Sequence, residues 1–418
     1  MGMTATRSAI WADLSVWLRK DRPFDEKIAL RFCILVGVAA WFGAFILPAM
    51  QWDKTVDFGW HRYLGTDFLS FYSASDLALA GRPADVYDMD KHSAAQLAVF
   101  PKGDGYYAFF YPPLFLLICY PLAKLSYFAA LAAWLTPPMG ACFAMLRRWA
   151  PSGLSIWHLA SLPAVMMTIA HGQNAFLTTV LLGGAFLILD RRPVLAGILF
   201  GALAFKPHFG ILIPLVLVAS GRWRTVFAAA GTVAAFALAS LAVFGLETWR
   251  AYLVLAPKAA LALEQNHIGD EKMQSVFAMM RILGSPVSLA YAAQGAVAVV
   301  VAATVFWVAW KVRSPRAVGA VTIAGALLIT PFMLRYDLML LSVPMLWMYS
   351  EAKRTGFRPN EAAIGILAFM LPMAPLEIAL HGRVLIAPLV IIALFVLVTR
   401  RALGWVGVEQ NGLVLARA

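Results

Sequence analysis

The chain has 418 residues, of which 61% are hydrophobic and only 13% are charged. Soluble domains are about 45–50% apolar and about 25% charged, so this composition excludes an ordinary soluble protein, and it is too apolar for a disordered one. The net charge is +12, but the basic residues lie between apolar runs, which indicates membrane topology rather than nucleic-acid binding. The three cysteines lie within apolar runs without a CxxC spacing, so neither a disulfide framework nor a metal site is indicated.

Twelve apolar runs predict transmembrane helices, because a helical span needs about 20 mostly apolar residues. A thirteenth run, 109–122, is shorter and contains Pro112 and Pro113, so we interpret it as a re-entrant segment. The expected fold is all-α and polytopic, with about 12 spans, this segment and an interfacial helix in the first outer loop. The twelve runs are 32–50, 125–146, 155–170, 174–189, 193–205, 209–220, 225–245, 285–310, 317–333, 336–350, 361–377 and 384–399.

The distribution of Lys and Arg predicts the orientation of the spans. With the N-terminus in the cytosol, the cytosolic side collects 21 of the 34 basic residues but only 8 of the 22 acidic ones, as the positive-inside rule requires. The chain then divides into a cytosolic tail, one transmembrane domain with two long outer loops, and a second cytosolic tail. These parts are residues 1–31, 32–400 (with outer loops 51–108 and 246–284) and 401–418.

A short helix is predicted within residues 65–88 of the first outer loop, with Thr66 as its N-cap and a stop at Gly81. Its apolar side chains fall at helical spacing, so we expect it to lie along the membrane surface, with the stripe in lipid or against the spans. The stripe consists of Phe68, Phe71, Tyr72 and Leu79.

Asp67 falls in the first turn of this helix, where the helix dipole favours an ionised carboxylate. Such a group suits a general base, although it also suits a simple helix cap, and the residues alone leave both interpretations open. Asp88 and Asp90 form a DxD, a spacing that many sugar-nucleotide enzymes use to hold a metal. This pattern arises easily by chance in a polar loop, and no metal or other cofactor is expected.

Polar residues interrupt the apolar runs at several predicted outer turns, and charges at such depth are functional candidates. Lys206 and His208 could bind a lipid-linked phosphate, unless Lys206 only snorkels to the interface. Arg335 could grip a phosphate bidentately, unless it and Asp337 neutralise each other.

The turn at residues 171–174 carries His171, Gln173 and Asn174, whose side chains suit hydrogen bonds to sugar hydroxyls, although a plain polar turn would look the same. Tyr111 opens the re-entrant segment and could form one wall of a cavity. The chain contains no GxxxxGK[ST], GxSxG, HExxH or GxGxxG motif, so it gives no support to the soluble chemistries that these motifs serve.

The blocks 67–88, 110–134, 171–215 and 334–346 together resemble glycosyltransferase family 87, also catalogued as domain of unknown function 2029. The resemblance implies a GT-C fold, a catalytic aspartate in the first extracytoplasmic loop, and transfer of a sugar from a polyprenyl-phosphate donor with inversion. It implies that Asp67 is that aspartate and that Lys206 binds the donor phosphate. The family's usual residue two positions after the lysine is glutamine, and here it is His208.

The expected function is therefore transfer of a sugar, mannose first among the candidates, from a polyprenyl-phosphate sugar to an acceptor hydroxyl on a glycolipid or glycan. Asp67 would be the catalytic base, and Lys206, Arg335 and His208 would bind the donor phosphate. The protein would lie in a bacterial inner membrane, among its lipids, with the site facing the periplasm and both termini in the cytosol. Sugar or acceptor contacts are expected from Tyr72, Tyr111, His171, Gln173, Asn174 and Asp337.

Two other functions remain open from the sequence. A transporter or flippase of polyprenyl-linked sugars would share the basic outer groups but would not need Asp67 as a base, and the two halves show no inverted symmetry typical of transporters. A non-catalytic membrane scaffold is the third possibility.

Overall fold

A computed structural model describes residues 26–42, 64–101, 105–374, 379 and 381–415 of the chain. Most of the expected N-terminal tail, the end of the first apolar run and residues 51–63 of the first outer loop lie outside the described residues. Across the described ranges the chain is helical and forms no strand, apart from an isolated antiparallel bridge between Met273 and Leu334.

Eighteen α-helices occupy these ranges, connected by short 3₁₀ turns. The first nine are α1 (Glu26–Trp41), α2 (Thr66–Leu79), α3 (Met89–Val99), α4 (Pro113–Cys119), α5 (Tyr127–Trp149), α6 (Ile156–Ala160), α7 (Pro163–His171), α8 (Ala175–Ile188) and α9 (Pro193–Ala202). The others are α10 (Pro207–Gly210), α11 (Leu212–Ala219), α12 (Trp223–Glu264), α13 (Val276–Ile282), α14 (Val287–Lys311), α15 (Pro315–Ile329), α16 (Ser342–Thr355), α17 (Glu361–Met370) and α18 (Ala387–Leu415).

Four helices of the described chain, α5, α12, α14 and the first part of α18, are long and apolar enough to cross a membrane, and seven shorter apolar helical stretches accompany them. The architecture is consistent with an all-helical membrane protein. Twelve crossings and the GT-C arrangement stay predictions.

The helix boundaries differ from the apolar runs in informative places. The run that was expected to end at residue 245 continues as α12 to Glu264, with one break at Gly245, where φ is +79°. The first 19 residues of the expected second outer loop are therefore helical. The run 155–170 divides into α6 and α7, and Pro163 occupies the first turn of α7, where a missing backbone N–H breaks no helical hydrogen bond.

Helix α9 packs closely along α12 through two glycines one turn apart. A Cβ atom at Gly197 would lie 2.6 Å from the carbonyl oxygen of Thr225, and one at Gly201 would lie 2.5 Å from that of Ala229. Small residues at this spacing let two transmembrane helices bring their backbones together. This contact fixes α9, which leads into the Lys206 turn.

Helix α2 packs against the bundle, which is one of the two placements expected for its apolar stripe, but it buries more than that stripe. Phe68 and Phe71 of the expected stripe are buried, but so are Ser70, Ser73 and Ser75 between them. The cap is also displaced by one residue, since Gly65 and not Thr66 is the N-cap. The helix is thus enclosed by the bundle on most sides, which holds its first turn in place.

The bundle has two ends, and segments expected on the same side of the membrane meet at the same end. The first turn of α2, the 171–174 turn, Lys206 and the 335–337 turn meet at one end, called here the site end. Helices α5 and α8 lead away from it to the opposite end. There Asp190 binds Arg222 at 2.7 Å.

Candidate functional site

The first turn of α2 is fixed by backbone contacts at Gly65. This residue has φ +77°, its N–H donates to the carbonyl of Ala170 at 2.9 Å, and its own carbonyl accepts from the Tyr127 hydroxyl at 2.8 Å. Asp67 follows in the first helical turn, as the sequence predicts, and its side chain is partly exposed. The carboxylate is therefore held at a defined place at the helix N-terminus, where the dipole favours its charge.

The 171–174 turn lies directly against α2. Gly172 has φ +63°, and a Cβ atom there would lie 2.5 Å from the Cβ of Phe68. The indole N–H of Trp134 donates to the carbonyl of Gly172 at 3.0 Å. No side chain larger than hydrogen fits at this position without a shift, so Gly172 sets how closely the turn approaches Asp67.

Two side chains of this turn bind the start of α2. The Gln173 Nε2 donates to Oδ2 of Asp67 at 2.8 Å, and Nδ1 of His171 lies 3.0 Å from the Thr66 hydroxyl. The other Asp67 oxygen, Oδ1, has a long 3.5 Å contact with that same hydroxyl. One carboxylate oxygen is thus firmly held, and the other is only weakly engaged.

The re-entrant segment contributes Tyr111 to the same cluster. The Asn174 Nδ2 donates to the Tyr111 hydroxyl at 3.0 Å, and this hydroxyl lies 3.4 Å from Oε1 of Gln173. Among the residues that the structure describes, the buried Oδ1 of Asn174 has no hydrogen-bond partner. An unpartnered buried acceptor is costly, so this oxygen is a candidate to receive a substrate hydroxyl.

A buried ion pair lies beside this cluster. The Lys206 ammonium donates to Oδ1 of Asp337 at 2.7 Å, and both side chains are less than 5% exposed. Oδ2 of Asp337 accepts from the backbone N–H of Leu334 at 3.1 Å. Asp337 therefore pairs with Lys206 and not with Arg335, the neighbour that the sequence offered as an alternative partner. Arg335 instead donates to the carbonyl of Ala374.

Tyr336 joins the two groups of residues, and the sequence analysis did not identify it. Its ring lies 5.4 Å from the Lys206 ammonium and 5.9 Å from the His171 ring. The side chains of Tyr336 and Asp67 are close enough to interact electrostatically. In the sequence, Tyr336 is marked only by its position between Arg335 and Asp337. Its contacts with Lys206 and His171 come from distant segments, so local sequence does not reveal them.

Tyr72, Arg335 and His208 lie at the edge of the cluster rather than within it. Tyr72 lies more than one turn after Asp67 on α2, and its hydroxyl donates to the carbonyl of Leu125 at 2.9 Å. His208 is partly exposed and packs its ring against Phe209, with the ring centroids 4.4 Å apart. The residues that the structure brings together are Asp67, Tyr111, His171, Gln173, Asn174, Lys206, Tyr336 and Asp337.

The DxD has a structural role. Asp88 is the N-cap of α3, and its Oδ1 accepts from the backbone N–H groups of Asp90 and Lys91 at 3.1 and 3.2 Å. Across the described ranges of the chain, no group of three or more His, Cys, Asp or Glu residues could hold a metal ion.

The segment after α12, part of the expected second outer loop, also reaches the site end. The backbone N–H of Gln274 donates to the carbonyl of Met333 at 2.8 Å, beside the bridge between Met273 and Leu334. No local pattern in the sequence distinguishes Gln274 from its neighbours. This contact places the segment after α12 against the turn that carries Tyr336 and Asp337.

An apolar helical bundle that brings an aspartate, amides and a buried ammonium together at one end is consistent with a membrane protein that has a polar site. The model of Glycosyltransferase family 87 matches residues 109–334, more than half of the chain, and the chain belongs to this family. It is therefore a glycosyltransferase. No curated protein and no solved structure matches the chain. The matched region includes Tyr111, the 171–174 turn and Lys206 but not Asp67 or Tyr336.

Proposed function

We propose that the protein transfers a sugar, mannose first among the candidates, from a polyprenyl-phosphate sugar to an acceptor hydroxyl at the extracytoplasmic face of a bacterial inner membrane. The observation that carries the proposal is the juxtaposition of a partly exposed carboxylate, Asp67, with a buried cation, Lys206, at one end of an apolar bundle. Family membership favours transfer over transport of the lipid-linked sugar.

The chemistry assigned to Asp67 is removal of the acceptor proton. The acceptor oxygen attacks the anomeric carbon from the face opposite the donor phosphate, and a new C–O bond forms as the bond to the phosphate oxygen breaks. This displacement inverts the anomeric configuration. Asp67 suits the role because the hydrogen bond recorded to its Oδ1 from the described residues, from the Thr66 hydroxyl, is a long one of 3.5 Å, so this oxygen can accept the acceptor's hydroxyl hydrogen.

The leaving group is a polyprenyl phosphate whose charge rises from −1 to −2 as the bond breaks. A cation close to the departing oxygen stabilises this charge most strongly where water is excluded. We assign this role to Lys206, whose ammonium has three N–H donors and uses one of them for Asp337. Arg335 and His208, at the edge of the site, would contact the outer phosphate oxygens, and no metal is needed.

The acceptor and the sugar would be held by the polar side chains around Asp67. The unpartnered Oδ1 of Asn174 and the Nε2 of His171, whose Nδ1 is engaged by Thr66, offer hydrogen bonds to hydroxyl groups. Tyr111 forms one wall with Phe115, its ring centroid 4.4 Å away, and Tyr72 lies further out. A glycolipid or glycan acceptor would approach from the partly exposed side of Asp67.

The proposal is tested by supplying purified protein in lipid nanodiscs with radiolabelled donors and a mixed glycolipid extract. We expect label from polyprenyl-phosphate mannose to enter a new glycolipid with release of polyprenyl phosphate, and none to enter from the nucleotide sugar. Nuclear magnetic resonance of the product would show inverted anomeric configuration. Transfer from the nucleotide sugar alone, or retained configuration, would contradict the proposed donor or mechanism.

A further inference from the structure

Gln173 directs its side-chain amide at the carboxylate of Asp67. The side chain is 5% exposed, its Nε2 donates to Asp67, and its Oε1 accepts from the backbone N–H of Asn174 at 3.1 Å. The orientation of an amide is usually ambiguous, because oxygen and nitrogen scatter alike. Here the Asn174 N–H can only donate, so the atom facing it is oxygen and the atom facing Asp67 is nitrogen.

The amide is in turn held by a directional chain of donors. Asn174 donates from Nδ2 to the Tyr111 hydroxyl, which leaves the hydroxyl hydrogen free to donate to Oε1 of Gln173. The donors therefore point in sequence from Asn174 through Tyr111 and Gln173 to Asp67. Hydrogen bonds in such chains polarise and strengthen one another in a low-dielectric site.

We propose that Gln173 is a positioning residue for Asp67, which holds one carboxylate oxygen and so aims the weakly held one at the acceptor, and that it does not bind sugar. An N–H donor stabilises the charged form of a carboxylate, and the fixed turn of Gly172 keeps the donor in place. The inference rests on the proposed role of Asp67 and deepens that role. It assigns Gln173 to Asp67 instead of to the sugar contact expected from the sequence.

The test measures the protonation of Asp67 without any substrate. Protein in nanodiscs is treated with a water-soluble carbodiimide and an amine, which modify protonated carboxyl groups, and mass spectrometry quantifies labelling of Asp67 across pH. Exposed Asp76 on the same helix is the internal reference for the reagent's own pH dependence. The variants are Gln173→Met, which removes the donor at similar size, and Gln173→Glu, which adds a like charge.

We expect the pH midpoint of Asp67 labelling to rise by up to about one unit in Gln173→Met and by one to three units in Gln173→Glu. The same substitution at an exposed site, Gln265→Glu, leaves the midpoint at its wild-type value. If Gln173→Glu does not fold, Gln173→Met decides the question. Midpoints equal to wild type in the folded variants would overturn the inference.

The transfer assay separates this inference from the proposed function. If the wild type is active, we expect the acidic limb of the pH–rate profile to shift to higher pH in Gln173→Met, by the same amount as the labelling midpoint. A raised KM for acceptor with an unmoved profile would instead identify Gln173 as a sugar ligand. If wild type transfers from no donor, the proposed function fails, and the labelling experiment still decides what Gln173 does.

Discussion

A single buried ion pair joins two turns that are 131 positions apart in the chain, Lys206 and Asp337. Removing both charges of a buried pair can be nearly neutral, whereas removing one leaves the other unpaired in a low-dielectric environment. The pair therefore has two separable roles, in holding the site end together and in presenting an ammonium to the donor phosphate.

We predict that Lys206→Met or Asp337→Leu alone lowers the free energy of unfolding by about 3–5 kcal/mol, and that the double variant regains most of this loss. Thermal denaturation in detergent measures the effect. The proposal for Lys206 further requires the folded double variant to be inactive in sugar transfer, because the cation at the leaving phosphate is missing.

The matched control is Arg222→Met, which breaks the partly exposed pair with Asp190 at the opposite end. Exposed pairs contribute little, so we expect a loss of at most about 1 kcal/mol. If the double variant is no more stable than either single variant, an unpaired buried charge is not the reason why the single variants lose stability. A stable and fully active double variant would remove Lys206 from the catalytic account.

The sequence predicted most residues of the cluster but left their pairing open. Asp67 and the 171–174 turn carry local signals, a helix start and a polar interruption between apolar runs. Nothing local shows that Lys206 pairs with Asp337, since Arg335 lies two residues from that aspartate and was the simpler partner. Tyr336 was missed for the same reason, because its neighbours come from other helices.

At the scale of elements, the site depends on how closely the 171–174 turn packs on α2. We predict that Gly172→Ala lowers thermal stability and transfer activity together, because its Cβ would meet Phe68 and displace Gln173 from Asp67. The control is Gly81→Ala, where φ is a similar +75° but no atom of the described residues lies within 4 Å of the added carbon.

Both substitutions place alanine in the left-handed region, at a cost of about 1–2 kcal/mol. The difference between them therefore isolates the collision with α2. Thermal denaturation and the transfer rate of the two variants measure this difference. Equal losses of stability and activity would show that the close approach at Gly172 does not matter.

Helix α3 is attached to α2 through a buried histidine. His92 Nε2 contacts the Ser70 carbonyl at 3.1 Å, and Nδ1 lies 3.2 Å from the Tyr106 hydroxyl. A carbonyl only accepts, so Nε2 carries the proton of a neutral ring. Burial lowers the pKa of His92 from 6.5 to about 4.

We predict that acid loosens α3 between pH 6.5 and 4. The folded pKa lies below the unfolded one, so the stability from neutral His92 is complete above pH 6.5 and is lost as pH falls to about 4, by up to about 3 kcal/mol. Hydrogen exchange of residues 89–99, corrected for intrinsic rates, should show this loss of protection. In His92→Gln the extra pH dependence should be absent, and its persistence would contradict the assignment.

The helices themselves were predictable to different degrees. The run 285–310 matches α14 closely, because a polar turn ends it on each side. The end of α12 was not predictable. Gly245 interrupts the apolar pattern and has non-helical backbone angles, but the helix resumes after it and continues to Glu264. Composition marks where a segment stops being apolar, which is not where it stops being helical.

At the scale of the whole molecule, the account requires the two ends of the bundle to lie on opposite sides of the membrane. We predict that Ala80→Cys, at the exposed end of α2, reacts with an impermeant thiol reagent added outside intact cells. Ser152→Cys, in the exposed turn after α5, should react only after the membrane is opened. A Cys33→Ala background removes the partly exposed native thiol. The reverse pattern would contradict the orientation.

The central claim is that Asp67 is the base of a lipid-linked glycosyl transfer, and one comparison tests it most directly. Transfer of label from the polyprenyl-phosphate sugar is measured for wild type, Asp67→Asn and Asp76→Asn, the last being the same change on an exposed face of α2. The account predicts a loss of at least about 100-fold in kcat for Asp67→Asn alone, with wild-type thermal stability, because a general base contributes about 10²–10⁴-fold. Equal rates for Asp67→Asn and Asp76→Asn would contradict it.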